Sequence, residues 1–141
     1  MTVLTHMVVG GAAGSFVEGR AAAFGLGMIL HVPLDVMPHY EFQRLGLEVA
    51  LVASFFGAMV VTGNAGTGVF WGALGAVIPD AENLLWRVGI IPGEWKVFPG
   101  HNRRLWRWLP HGRPLGPEHA WWQVVLGGAA AAVIARRLLL S

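Results

Sequence analysis

The sequence predicts an all-α protein, an integral membrane bundle of about five short helices with an interfacial segment rich in Trp and Arg. Three observations predict it. The 141 residues are 55% hydrophobic and 13% charged, whereas a soluble domain carries about 25% charged residues to cover its surface. Mean hydropathy is +0.55, so lipid suits this surface better than water. Five apolar stretches, each rich in Gly and Ala, follow one another along the chain.

The stretches cover residues 3–17, 21–37, 46–61, 67–78 and 120–135. Residues 18–20, 38–44 and 62–66 separate the first four, and Gly19, Gly63, Asn64 and Gly66 supply the backbone freedom of tight reversals. Each stretch is shorter than the roughly 20 residues that span a bilayer core. Flanking residues extend them, and Trp or Arg at their ends anchors or snorkels. Gly10, Gly11, Gly14, Gly72, Gly75, Gly127 and Gly128 allow membrane helices to meet backbone to backbone. No basic region precedes the first stretch, so it reads as part of one membrane domain over 1–141, not as a cleaved signal.

Residues 81–118 form the interfacial segment. Arg87, Lys96, Arg103, Arg104, Arg107 and Arg113 alternate there with Trp86, Trp95, Trp106 and Trp108, which suits lipid headgroups. The net charge of +2 gives no reason to expect nucleic acid. With no Cys in the chain, any metal must be held by His, Asp or Glu. That donor set favours zinc, with manganese and iron as alternatives.

The polar residues segregate on this topology. If the five stretches alternate in direction, His6, His31, Asp35, His39, Asp80 and His119 all fall at one face, with His101 and His111 in the basic loop beside them. Of the Glu residues, only Glu18 falls at the other face. His31, Asp35 and His39 recur every four residues, a spacing that lines one side of a helix. Pro38 is placed to end that helix and re-aim His39, and Pro33 to kink or loosen it. Asp80 and Glu82 close the fourth stretch. His101 and His111 read as surface residues of the basic loop. An ionisable group inside a membrane is costly unless paired or metal-bound, and is a functional candidate by default.

These residues carry a family likeness. Thr5-His6 before a Gly/Ala-rich helix, His31-Val-Pro-Leu-Asp35-Val-Met-Pro38-His39, and Gly75-Ala-Val-Ile-Pro79-Asp80-Ala-Glu82 resemble elements of the small bacterial membrane-bound metal-dependent hydrolases. Those share motif elements with zinc-dependent phospholipase C and P1-type nucleases. Before the last stretch only Gly116-Pro-Glu118-His119 matches, and Asn83 stands where the family often has His.

The residues and the resemblance together imply a metal-dependent hydrolase of a phosphoester or other ester, its substrate a small anionic or lipid-like molecule. His6, His31, Asp35, His39, Asp80 and His119 are the expected ligands of one or two divalent ions. Glu82 and Glu118 are the expected general bases, acting on metal-bound water whose pKa falls to about 7. The alternatives are a protein that binds or transports a metal ion or proton without hydrolysis, and a partner subunit whose polar stack only joins helices. A pathway needs polar groups in both halves of the membrane, and the far half is nearly bare. Seven Lys/Arg lie at the polar face and three at the other, which puts that face in the cytoplasm of a bacterial or archaeal cell.

Overall fold

A computed structural model describes residues 2–41, 44–102, 104–109 and 112–140. Arg103 and His111 therefore lie outside the described residues. The protein is all-helical there, with α1 at Val3–Gly14, α2 at Arg20–Val36, α3 at Leu45–Val61, α4 at Gly68–Arg87 and α5 at Trp121–Leu139. Among the described residues the sole strand-like pairing is an isolated bridge between His39 and Pro114.

Local chemistry sets most of the ends. The Thr2 side chain accepts the Thr5 amide at the start of α1, and Thr67 accepts that of Phe70 at the start of α4. Such caps contribute about 1 kcal/mol each. Gly19 and Gly63, at φ 86° and 76°, make the turns after α1 and α3. α2 ends at Val36 because Met37 precedes Pro38 and is extended, with ψ 143°.

The fourth apolar stretch was expected to end at residue 78, yet α4 continues to Arg87 through Pro79. A helix needs favourable backbone propensity, not apolarity. Ala81, Leu84 and Leu85 supply that propensity, and an internal proline removes one hydrogen bond without forcing a stop. α2 likewise runs through Pro33.

Helices α1, α2 and α4 form the centre, packed through glycine. A Cβ built on Gly27 or on Gly10 would overlap the Gly72 carbonyl, and one on Gly14 would overlap that of Gly68. These helices therefore touch backbone to backbone. α5 lies along α1, with Ile134 against Gly11 and the Arg137 guanidinium 4.2 Å from the Phe16 ring. Met59, Val69 and Ile134 form a core at the end away from the histidines, with Phe55 and Phe70 packed on it. α3 joins the bundle there; its other buried residue is Glu48, near its start.

Among the described residues one helix, α5, is long and apolar enough to cross a membrane, with 19 residues and a mean hydropathy of 1.3. α1 and α3 are apolar but shorter. Large apolar side chains are exposed on both outer helices, including Leu47, Val60 and Val61 of α3 and Trp121, Val124 and Val125 of α5.

Candidate metal centre

Five side chains from α1, α2, α4 and the following loop converge at one end of the bundle. His6 sits one turn into α1, held in register by the Thr2 cap. His31 and Asp35 are four residues apart on α2, and the His31 Nε2 to Asp35 Oδ2 distance is 3.2 Å. Asp80 projects from α4, with Oδ2 at 3.3 Å from His6 Nδ1 and Oδ1 at 3.9 Å from His31 Nε2. His101 comes from the loop after α4, its Nε2 3.0 Å from Asp35 Oδ2 and 3.9 Å from Asp80 Oδ1. The His6 and His31 rings stack with centroids 4.1 Å apart. Both imidazoles are fully buried, and Asp35 is 3% exposed.

Among the described residues, two overlapping groups have donor atoms close enough to share an ion: His6, His31 and Asp35, and His31, Asp80 and His101. The outer nitrogens show why the group suits a cation. His31 Nδ1 is 2.7 Å from the Ala76 carbonyl oxygen. A carbonyl only accepts, so Nδ1 carries the proton and a neutral His31 turns its Nε2 lone pair inward. His101 Nδ1 donates to Glu82 Oε1 at 2.9 Å, which turns the His101 Nε2 lone pair inward as well. Two ring nitrogens and a carboxylate oxygen of Asp35 then face one another at 3.0, 3.2 and 3.4 Å. Such lone pairs repel unless something positive lies between them. Tetrahedral zinc ligands at about 2.0–2.1 Å from the metal stand roughly 3.3–3.4 Å apart, close to the spacing found. His6 Nε2 is buried with no hydrogen-bond partner, 3.4 Å from Asp35 Oδ1, and also faces the group. Two carboxylates balance the charge of one divalent ion, as a poorly hydrated site requires.

Glu82 does not face the group. Its carboxylate accepts the Val97 and Phe98 amides at 2.8 and 3.0 Å as well as His101 Nδ1, so it fastens the loop and orients the ring. A carboxylate behind a ligating histidine is the usual outer support of a metal site. Gly100, at φ 91°, lets the chain turn into His101.

His39 leaves the stripe expected of it. Because α2 stops before Pro38, its position no longer follows the helical repeat. Its Nδ1 donates to the Met37 carbonyl at 2.7 Å and its Nε2 is 3.3 Å from Glu41 Oε1. Its backbone pairs with Arg113 and Leu115, while the Gly112 amide donates to the Asp35 carbonyl at 2.7 Å. The 37–41 segment and the 112–115 segment thus brace the end of α2, and His39 joins neither ligand group among the described residues.

His119 and Glu118 are also apart from the group. Their side chains are 67% and 66% exposed and pair with each other at 3.0 Å at the entry to α5. The Glu118 amide and then His119 hold the Glu118 carboxyl below its ordinary range, which suits an ion-pair partner better than a base.

His101 is the ligand candidate that sequence reasoning set aside as a surface residue. Its one local signal is the Pro99-Gly100 turn before it. Its pairing with Glu82, across the intervening loop, is visible only in three dimensions. His6, His31, Asp35 and Asp80 are where the sequence placed them, at one end and within reach of one another.

The fold and site define an all-helical protein with a buried His/Asp group able to hold a metal ion. No protein-family model, curated protein or solved structure matches the chain.

Proposed function

We propose that this chain is a membrane-embedded, metal-dependent hydrolase of phosphoesters or related esters. The observation that carries the reading is the inward convergence of His6, His31, Asp35, Asp80 and His101 with donors at ligand spacing. The outer nitrogens of His31 and His101 are fixed by Ala76 and Glu82, and one side of the group is open. Asp80 and His101 line a cavity of about 820 Å³ between α3, α4 and the 93–104 loop. A group built only to join helices would be closed on every side.

The exposed apolar faces of α3 and α5, and the apolar composition, support placing the whole bundle in the bilayer. α5 at 19 residues and α4 at 20 residues approach the roughly 30 Å of a hydrocarbon core at 1.5 Å per residue. The shorter α1 leaves its His6 end near the interface, where the polar group lies. The excess of Lys and Arg at that end favours the cytoplasmic side of a bacterial or archaeal membrane.

A divalent metal, with zinc the first choice for this donor set, would be held by the five side chains and would supply a Lewis acid and an acidified water. The chain's own residues do the rest. Glu82 keeps His101 oriented, Ala76 keeps His31 in one tautomer, and the glycine contacts exclude water from behind the group. Asp80 and His101 line the cavity, so a substrate would meet the group from that side. The resemblance of three sequence elements to membrane-bound metal-dependent hydrolases leads to the same reading from the residues alone.

The test is elemental analysis of the purified protein, together with hydrolysis of a generic phosphodiester before and after chelation. Bound metal with chelator-sensitive turnover supports the reading. Bound metal without turnover on any ester moves it to a metal-binding or transport protein. A wild type that takes up no metal leaves only a structural stack.

A further inference from the structure

Beyond the metal group, the cavity has two halves of opposite chemistry. One is apolar, walled by Val49, Val52 and Ala53 of α3 and by Val77, Ala81 and Leu84 of α4. The other is polar, formed by Arg87, Lys96 and Arg104 with Glu48 and Glu94. Asp80 and His101 also line it, so the group opens onto this space. The volume of about 820 Å³ falls within the roughly 300–1,000 Å³ of pockets that enclose a drug-sized ligand.

The apolar half exists because α3 meets the bundle at its far end, through Met59 and Phe55, and stands off α4 elsewhere. Val49 is 44% exposed on that wall, so the apolar wall is not closed over.

We propose that the cleft between α3 and α4 seats the hydrocarbon chain of an amphiphilic phosphoester, a lipid entering sideways from the bilayer, and so brings its phosphoester against Asp80 and His101. The chemical step rests on the hydrolase reading above; the binding of the chain does not.

Charge explains why a lipid fits better than a soluble phosphoester. Among the described residues Arg87, Lys96 and Arg104 share the lining with Glu41, Glu48 and Glu94, so the rim carries both signs of charge. Lys96 is already engaged, donating to Asn83 Oδ1 at 3.1 Å and lying 4.1 Å from the Trp86 ring centroid. A small soluble anion would find little to hold it there, and would leave the apolar walls unfilled. A lipid fills those walls with its chain while its headgroup stays at the depth of the metal group.

The experiment uses the full chain in detergent, loaded with zinc. The probe is phosphatidylglycerol with a pyrene-labelled acyl chain, and bis(p-nitrophenyl) phosphate is the soluble comparison. Val49→Trp and Ala53→Trp fill the cleft from α3, away from the ligands. Val60→Trp, on the exposed outer part of α3, is the control. At least tenfold weaker lipid binding in the two cleft variants, with unchanged zinc content and a wild-type control, supports the proposal. Lipid binding equal to wild type in the cleft variants, or no saturable lipid binding by wild type, overturns it. Cleft-dependent lipid binding without hydrolysis of either ester sinks the hydrolase reading and leaves the cleft standing. Zinc-dependent hydrolysis of the soluble ester together with cleft-independent lipid binding does the reverse.

Discussion

Asp35 is the side chain whose replacement tests the site most directly. Its carboxylate oxygens lie 3.4, 3.2 and 3.0 Å from ring nitrogens of His6, His31 and His101, so it is the shared partner of all three imidazoles. Asp35→Asn keeps the volume and removes one of the two charges that would neutralise a divalent ion. Losing an outer support of a metal site weakens binding by about 10–100-fold, so losing this carboxylate costs at least about 100-fold, or ~2.7 kcal/mol. A metal held at a thousand times its Kd stabilises the fold by about 4 kcal/mol, and at ten times by about 1.4 kcal/mol. Chelation should then lower the wild-type Tm by on the order of 10 °C, and that of Asp35→Asn by a third as much. The assay is thermal unfolding in detergent with and without chelator, beside elemental analysis of both proteins. If Asp35→Asn keeps full metal content and the full chelator-induced shift, the convergence of these side chains has another purpose and the account is refuted.

Other variants separate the roles of neighbouring groups. Glu82→Gln should reduce metal affinity about 10–100-fold and speed hydrogen exchange at the Val97 and Phe98 amides; unchanged exchange would mean that Glu82 does not hold the loop. His119→Ala should leave metal content and stability unchanged, because that ring is exposed and apart from the group; loss of metal would restore it as a ligand. Gly27→Leu should force α2 away from α4 and cost about 1–3 kcal/mol through overpacking, with metal lost in the same variant. Retained metal at wild-type affinity would show that the glycine contact does not set the site. Reconstituted in vesicles, α5 amides should exchange far more slowly than those of the 88–120 loop; equal exchange would argue against a bilayer around α5.

What the sequence revealed follows from which interactions are local. The five helices were legible because apolar stretches and Gly/Asn turns are continuous features, and the His31–Asp35 pair because a four-residue spacing becomes a contact on any helix. The end of α4 was not legible from hydropathy, since Asp80, Glu82 and Asn83 are polar yet helical. His39 was misplaced by extending the helical repeat across Pro38, the residue that stops it. His101 was hidden for a different reason. Its neighbours in sequence are basic and aromatic, and its partners Asp35 and Glu82 belong to other elements. His119 was drawn in by its place before the last helix, where only the folded chain shows the ring turned outward.

The glycines and the metal group are parts of one arrangement. α2 and α4 run in the same direction, and Gly27 touches Gly72. Four residues further on, His31 bonds the Ala76 carbonyl. Four residues beyond that, Asp35 and Asp80 face the same imidazole. α1 runs the opposite way, with Gly14 against Gly68, Gly10 against Gly72 and Ala76, and His6 against Asp80. Each step of four advances about one helical turn, so the contacts keep a common face and register. Side chains at the glycine level would hold the axes apart, and the donors one and two turns away would no longer stand at ligand spacing. Close packing is therefore not merely glue in this bundle: it fixes the distances on which any metal chemistry at its polar end depends.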